Sequence, residues 1–134
     1  MAGDRKDYTG IIEIKDVEVL NTGLATLGFN TPRSNQTPFS ICHEVAVAQT
    51  WETIKTVTTG KTAYVTQVIF ACIGGLSEEH YIGHNSSADL AIAAGAVATV
   101  VITLATPIKY SSGTNIQGYG QSINDCITIV GWEE

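Results

Sequence analysis

The chain has 134 residues, 44% hydrophobic and 15% charged, with a net charge of −6. That is the length of one ordinary domain, able to bury a core without disulfide or metal staples, and the composition argues against disorder. Charged residues usually make up about 25% of a soluble chain, so much of the surface is expected to be neutral polar or covered by a partner. The 13 Asp and Glu outnumber the 7 Lys and Arg, which argues against a nucleic-acid groove, since such a groove needs clustered cations to displace counterions. The one tight basic pair, Arg5-Lys6, is flanked by Asp4 and Asp7.

Residues 1–9 are polar and charged with no apolar run behind them, so they read as a flexible arm and not as a secretion signal; folding in the cytoplasm where the chain is made follows. Residues 10–134 read as one domain. In Gly10–Leu20, Ile12 and Ile14, then Val17 and Val19, alternate with charged residues, and the phase slip at Asp16 predicts a bulge. Residues 21–40 carry Gly23, Gly28, Asn30, Pro32, Asn35 and Pro38. They predict a long loop with a short strand near Leu24–Phe29, and loops of this length tend to be functional or partner-bound.

Ile41–Val47 reads as a strand with Ile41, His43, Val45 and Val47 on one face, although residues 43–53 also fit a helical stretch. Glu52–Val57 and Thr62–Cys72 flank Thr58-Thr59-Gly60-Lys61, where Gly60 offers the positive φ of a hairpin. The second of these strands is apolar on both faces towards its end, which predicts a central position in a sheet. Gly74-Gly75 breaks the chain. His80–His84 is a short strand and Asn85–Ser87 a turn. Asp89–Ala93 and Ala96–Leu104 flank a turn at Ala94-Gly95. Pro107–Tyr110 and Thr114–Tyr119 form a further hairpin across Ser111-Ser112-Gly113, and Cys126–Gly131 is the last strand. Leu90–Leu104, interrupted by Gly95, Thr99 and Thr103, is too short for a membrane span of about 20 residues. Eight or nine antiparallel strands, rich in β-branched residues and punctuated by turn residues, predict an all-β jelly roll or β-sandwich.

Chemical motifs are sparse. Cys42, Cys72 and Cys126 are odd in number and widely spaced, and read as buried thiols used as small hydrophobes. There is no Gly-x-Ser-x-Gly elbow, and Thr59-Gly60-Lys61-Thr62 lacks the upstream glycine of a phosphate loop. His80 and His84, four apart, would share one face of a strand beside Glu78 and Glu79, the start of a cupin-like metal site; the closely spaced His-x-His of that class is missing, and His43 is remote. Trp51, Tyr64, Tyr81, Tyr110, Tyr119 and Trp132 fit core packing, or sugar stacking in a carbohydrate-binding module. The chain is therefore read as a non-enzyme, with no catalytic, metal or cofactor-binding residue assigned.

Four phrases carry a family likeness: VTTGKTAYVT over 57–66, DLAIAAG over 89–95, LATPIKYSSGTNI over 104–116 and ITIVGWEE over 127–134. Across residues 53–134 the chain resembles the small jelly-roll structural proteins of tailed bacteriophages, capsid decoration (cement) proteins and head-fibre domains among them. That group repeats a Thr-x-Gly-Lys hairpin, a Thr-Pro-Ile…Gly-Thr hairpin and a terminal Gly-Trp/Tyr-Glu strand. The resemblance implies a virion component on the capsid surface. Its partners would be its own copies, as a trimer or dimer, and the major capsid protein or another virion protein, with neither nucleic acid nor membrane involved. On this reading the contact residues are Asp4, Arg5, Lys6, Asp7 and Tyr8 in the arm, Thr31, Pro32, Arg33 and Phe39 in the loop, and Trp132, Glu133 and Glu134 at the end of the last strand.

Overall fold

Val, Ile and Thr lose side-chain freedom in a helix but fill a pleated surface well. The computed structural model describes residues 35–73, 78–94 and 97–134, and every regular element among them is accordingly a strand. The strands are β1 Thr37–Glu44, β2 Thr50–Thr56, β3 Ala63–Ala71, β4 Glu78–His84, β5 Ser87–Ala94, β6 Thr99–Tyr110, β7 Asn115–Gly120 and β8 Cys126–Glu133. All belong to one compact unit, Asn35–Glu134. The expected arm, the strand block from Gly10 and the loop up to residue 34 lie outside the described residues, as do Gly74-Gly75 and Gly95.

The strands form two four-stranded antiparallel sheets, ordered β1-β8-β3-β6 and β2-β7-β4-β5. The pairing is nested: β1 with β8, β2 with β7, β3 with β6, β4 with β5. A long antiparallel ribbon folded back at β4–β5 and wrapped around its own core has these pairs, which is the jelly-roll winding of two Greek keys. The expected fold class is thus the observed one.

Two expected hairpins are not hairpins. The chain at Gly60 passes from β2 in one sheet to β3 in the other, and at Gly113 from β6 to β7, again between sheets. Both glycines do hold the left-handed backbone that the sequence calls for, φ +83° and +75°. The β4–β5 turn is a true two-residue hairpin: Asn85 (φ 50°) and Ser86 (φ 57°) join the His84/Ser87 pair. Positive φ at both central residues matches the twist of the flanking strands.

The helical alternative for 43–53 does not occur. Glu52 organises the β1–β2 turn there, accepting from the N–H groups of Ala46 (3.2 Å) and Val47 (2.6 Å) and lying 2.6 Å from His43 Nε2. β1 begins inside the expected loop because Thr37–Ser40 finds ladder partners in Glu133–Val130. Pro38 is tolerated because β1 is an edge strand.

The core lies between the sheets: Val65, Val68 and Phe70 of β3 and Ile127 and Ile129 of β8 face Ile82 of β4 and Ile116 of β7, all fully buried. β3 is interior, flanked by β8 and β6 as its two-faced apolarity predicts. A bulge between Val65 and Gln67 lets the inward phase pass from Ala63 and Val65 to Val68 and Phe70. Beside it, Gly131 sits so close to the Tyr64 carbonyl that a Cβ would overlap it. Gly131→Ala is expected to destabilise the domain by about 1–3 kcal/mol, measurable by denaturant titration. The cysteines depart from expectation: Cys72 is buried, Cys126 half-buried and Cys42 exposed.

Candidate functional site

The most elaborate polar cluster sits at one end of the sandwich. His80, on the inward face of β4, and Asp125, just before β8, are both fully buried and lie 2.8 Å apart, Nε2 to Oδ2. Asp125 also accepts from the N–H groups of Ile73 (2.8 Å) and Ser122 (3.1 Å). Its backbone carbonyl takes the N–H of Val45 at 2.8 Å. The carboxylate thereby ties together the end of β3, β4 and the turn before β8, and the backbone carbonyl adds the end of β1. Burial alone would push the Asp125 carboxyl up; the Ile73 N–H, His80 and the Ser122 N–H outweigh it and hold it below the ordinary carboxylate value. Cys72 Sγ lies 3.6 Å from His80 Nδ1. Thiol, imidazole and carboxylate in series are the signature of an activated nucleophile. Here, however, Cys72 is only 4% exposed and its two partners are not exposed at all. A substrate carbonyl has no approach to the sulfur, so the series acts as an internal clasp.

His84 does not join His80. Four residues of extended strand carry it about 13 Å along β4 from His80 to the rim, where it lies 2.8 Å from Asp89 and edge-on to Tyr110 with ring centroids 5.8 Å apart. Among the described residues no three His, Cys, Asp or Glu side chains converge to hold a metal ion. Near this rim the Asn85-Ser86 hairpin, Ser112–Asn115 and Gln117 line an open polar dish of about 370 Å³.

The outer faces carry aromatic rows set by strand register. On one sheet Trp51, Tyr119, Tyr81 and Ala91 lie side by side across all four strands, with ring centroids 6.0, 5.5 and 5.3 Å apart among the three aromatics. The Tyr81 hydroxyl donates to Glu79. On the other sheet the row is Pro38, Trp132, Tyr64 and Lys109. Tyr64 and Trp132 stack at 5.3 Å and 16°, and Lys109 lies over Tyr64 at 5.4 Å. Trp132 Nε1 is shielded from water and makes no hydrogen bond to the described residues.

No protein-family model matches the chain, and no curated protein matches it. Among solved structures it is similar to the cryo-EM structure of the giant freshwater prawn Macrobrachium rosenbergii extra small virus VLP. Identity is 12%, the match covers 79% of this chain and 85% of that one, and the TM-score is 0.42.

Of the residues expected to make contacts, Asp4, Arg5, Lys6, Asp7, Tyr8, Thr31, Pro32 and Arg33 lie outside the described residues. Trp132 belongs to the outer row. Glu134 is exposed and accepts from Gln36 Nε2 at 3.0 Å. Phe39 is half-buried, with the Lys55 ammonium 5.1 Å from its ring centre. Glu133 is 5% exposed and uses both oxygens internally, on Lys55 (3.0 Å) and on the N–H (3.0 Å) and hydroxyl (2.8 Å) of Thr58. It joins β8 to β2 and to the crossing after β2. Burial would raise its carboxyl; Thr58 and Lys55 outweigh that and hold it low. Glu133→Ala strands Lys55 and the Thr58 N–H, and is expected to cost about 3 kcal/mol, read as a lower Tm. The aromatic rows and the clasp escaped sequence reading because both depend on register between strands far apart in the chain.

Proposed function

We propose that this chain is a virion structural protein, a decoration-type jelly roll that seats on a capsid surface as a homo-oligomer and stabilises it through protein contacts. The observation that carries the reading is the division between inside and outside. Nucleophile-like and metal-like side chains are locked in the clasp or paired at the rim, while each sheet presents an aromatic row outwards. Aromatic side chains, with an apolar body and a polar handle, are favoured at protein interfaces. Of the phrases that resemble phage structural proteins, those over 57–66 and 104–116 span crossings between the two sheets and those over 89–95 and 127–134 fall on β5 and β8 of a jelly roll, an architecture used by viral capsid domains, lectins and cupins. Trp132, Phe39 and Glu134 are the described contact residues of this reading; Asp4 to Tyr8 and Thr31 to Arg33 complete it. Immunogold labelling of virus particles from the source of the sequence tests it. Label on the capsid surface is the expected result, and label confined to particle-free fractions overturns the reading.

The row Trp51, Tyr119 and Tyr81 favours a second reading, a glycan-binding module, because half-exposed rings supply stacking faces for sugars. On that reading a glycan array gives signals that Trp51→Ala and Tyr81→Ala abolish, and a blank array removes it.

A further inference from the structure

The four sheet edges of the sandwich are unequal. β1 lies beside β2, and β5 beside β6. On the β1–β2 side the strands carry Pro38, His43, Glu44, Glu52 and Lys55. Proline and charge on an edge are the usual means of preventing one sheet from pairing with another. On the opposite side β6 runs for 12 residues, and from Thr99 to Thr106 it has neither a charge nor a proline. Among the described residues β3 is its one ladder neighbour.

The side chains of β6 tell the same story. Val101 is 56% exposed, and Thr103 and Ala105 are exposed beside it, while Val97 just upstream is 75% exposed. Val100, Ile102 and Leu104, on the other face of the strand, remain half-buried, whereas Val68 and Phe70 on neighbouring β3 are fully buried. Among the described residues no further strand covers this row of apolar residues.

Resting on the reading of this chain as a self-assembling protein, we propose that β6 is its self-pairing edge: β6 of one copy pairs antiparallel with β6 of a second copy about a two-fold axis, joining the two β1-β8-β3-β6 sheets into one. Charge selects both the occupant and the place. Each copy carries −6, so two copies repel except where neutral surfaces meet. The 99–106 segment brings no like charge against itself. A two-fold interface must be self-complementary, and an uncharged strand of Thr, Val and Ala meets that condition in an antiparallel pair. The outward N–H and C=O groups of the edge, which have no ladder partner among the described residues, supply the main-chain hydrogen bonds of strand addition.

The test is the concentration dependence of mass by sedimentation velocity for the wild type, Val101→Lys, Thr103→Lys and the opposite-edge control Ser40→Lys. The expected result is a dimer for the wild type and for Ser40→Lys, with dimerisation weakened at least about tenfold in both β6 variants by the like charges brought together. Circular dichroism confirms that each variant is folded. In a Cys42→Ser/Cys126→Ser background, Thr103→Cys is expected to cross-link into a covalent dimer on mild oxidation, which tests the geometry without a destabilising charge. A wild type that stays monomeric at every concentration, β6 variants that dimerise like the wild type, or a Thr103→Cys chain that does not cross-link overturns the proposal. A monomeric chain that still labels virus particles removes the β6 pairing and leaves the virion reading standing. A β6-dependent dimer absent from particles does the reverse.

Discussion

Asp125→Ala is expected to lower the stability of the domain by about 3–5 kcal/mol, the loss incurred when a buried carboxylate is removed and its hydrogen-bond donors stay. The carboxylate is the acceptor for three groups at once: His80 Nε2 and the N–H groups of Ile73 and Ser122. Removing it leaves these without that acceptor in a region closed to water. Thermal melting reads the loss as a fall in Tm on the order of 10–20 °C. Asp125→Asn keeps one carbonyl acceptor and is expected to fall between the wild type and the alanine variant.

The effect depends on pH in a defined direction. Burial opposes ionisation of Asp125, but its hydrogen-bond donors prevail and hold its carboxyl below 3.8, and those around Glu133 hold that carboxyl below 4.5. A folded-state value below the unfolded one means that the folded protein favours the charged carboxylate. Each group therefore contributes stability that is fully present above its unfolded pKa and is lost as pH falls through the folded pKa. The stability difference between wild type and Asp125→Ala is expected to be constant near neutrality and to shrink below about pH 4. A difference that grew on acidification would contradict this account.

Phe70→Ala is expected to cost about 3–5 kcal/mol, the usual loss on truncating a buried aromatic residue. Phe70 is fully buried near the C-terminal end of β3, between β8 and β6, and its ring lies 5.8 Å from the His80 imidazole. The core and the clasp are thus in direct contact, and their losses will not add. In a double-mutant cycle, Phe70→Ala with Asp125→Ala is expected to show a coupling of about 0.5–3 kcal/mol, while Phe70→Ala with Glu133→Ala, which acts at the other end of β8, adds closely. Both follow from chemical denaturation of four proteins each.

The strands were legible in the sequence because alternation and turn residues are local signals. β3 was legible even as a central strand, since burial on both faces leaves it apolar throughout. Turns were legible, Asn85–Ser87 among them, but not which of them closes a hairpin. Gly60 and Gly113 mark positive φ, as the sequence says, but a tight turn between two strands is silent on whether the second joins the same sheet or crosses to the other. Asn85-Ser86, the one true hairpin turn described here, has no glycine at all. The clasp was hidden for a related reason: His80 and Asp125 are 45 positions apart, and only the winding brings them together. The pairing of His80 with His84 failed because four residues of extended strand set them about 13 Å apart, and the winding gives each its own carboxylate, Asp125 for His80 and Asp89 for His84.

The nested pairing also sets the order in which the protein is able to close. Only β4 and β5 are neighbours in sequence; each further pair must wait for a longer loop, and such distant pairings slow folding into the millisecond-to-second range. β1 waits longest, because Thr37 pairs with Glu133. On a ribosome adding about 5–20 residues per second, β1 spends several seconds without its partner. A sandwich wound in this way closes only after β8 has been synthesised, and until then β1 depends on chaperones or on its own charges to stay out of the wrong sheet.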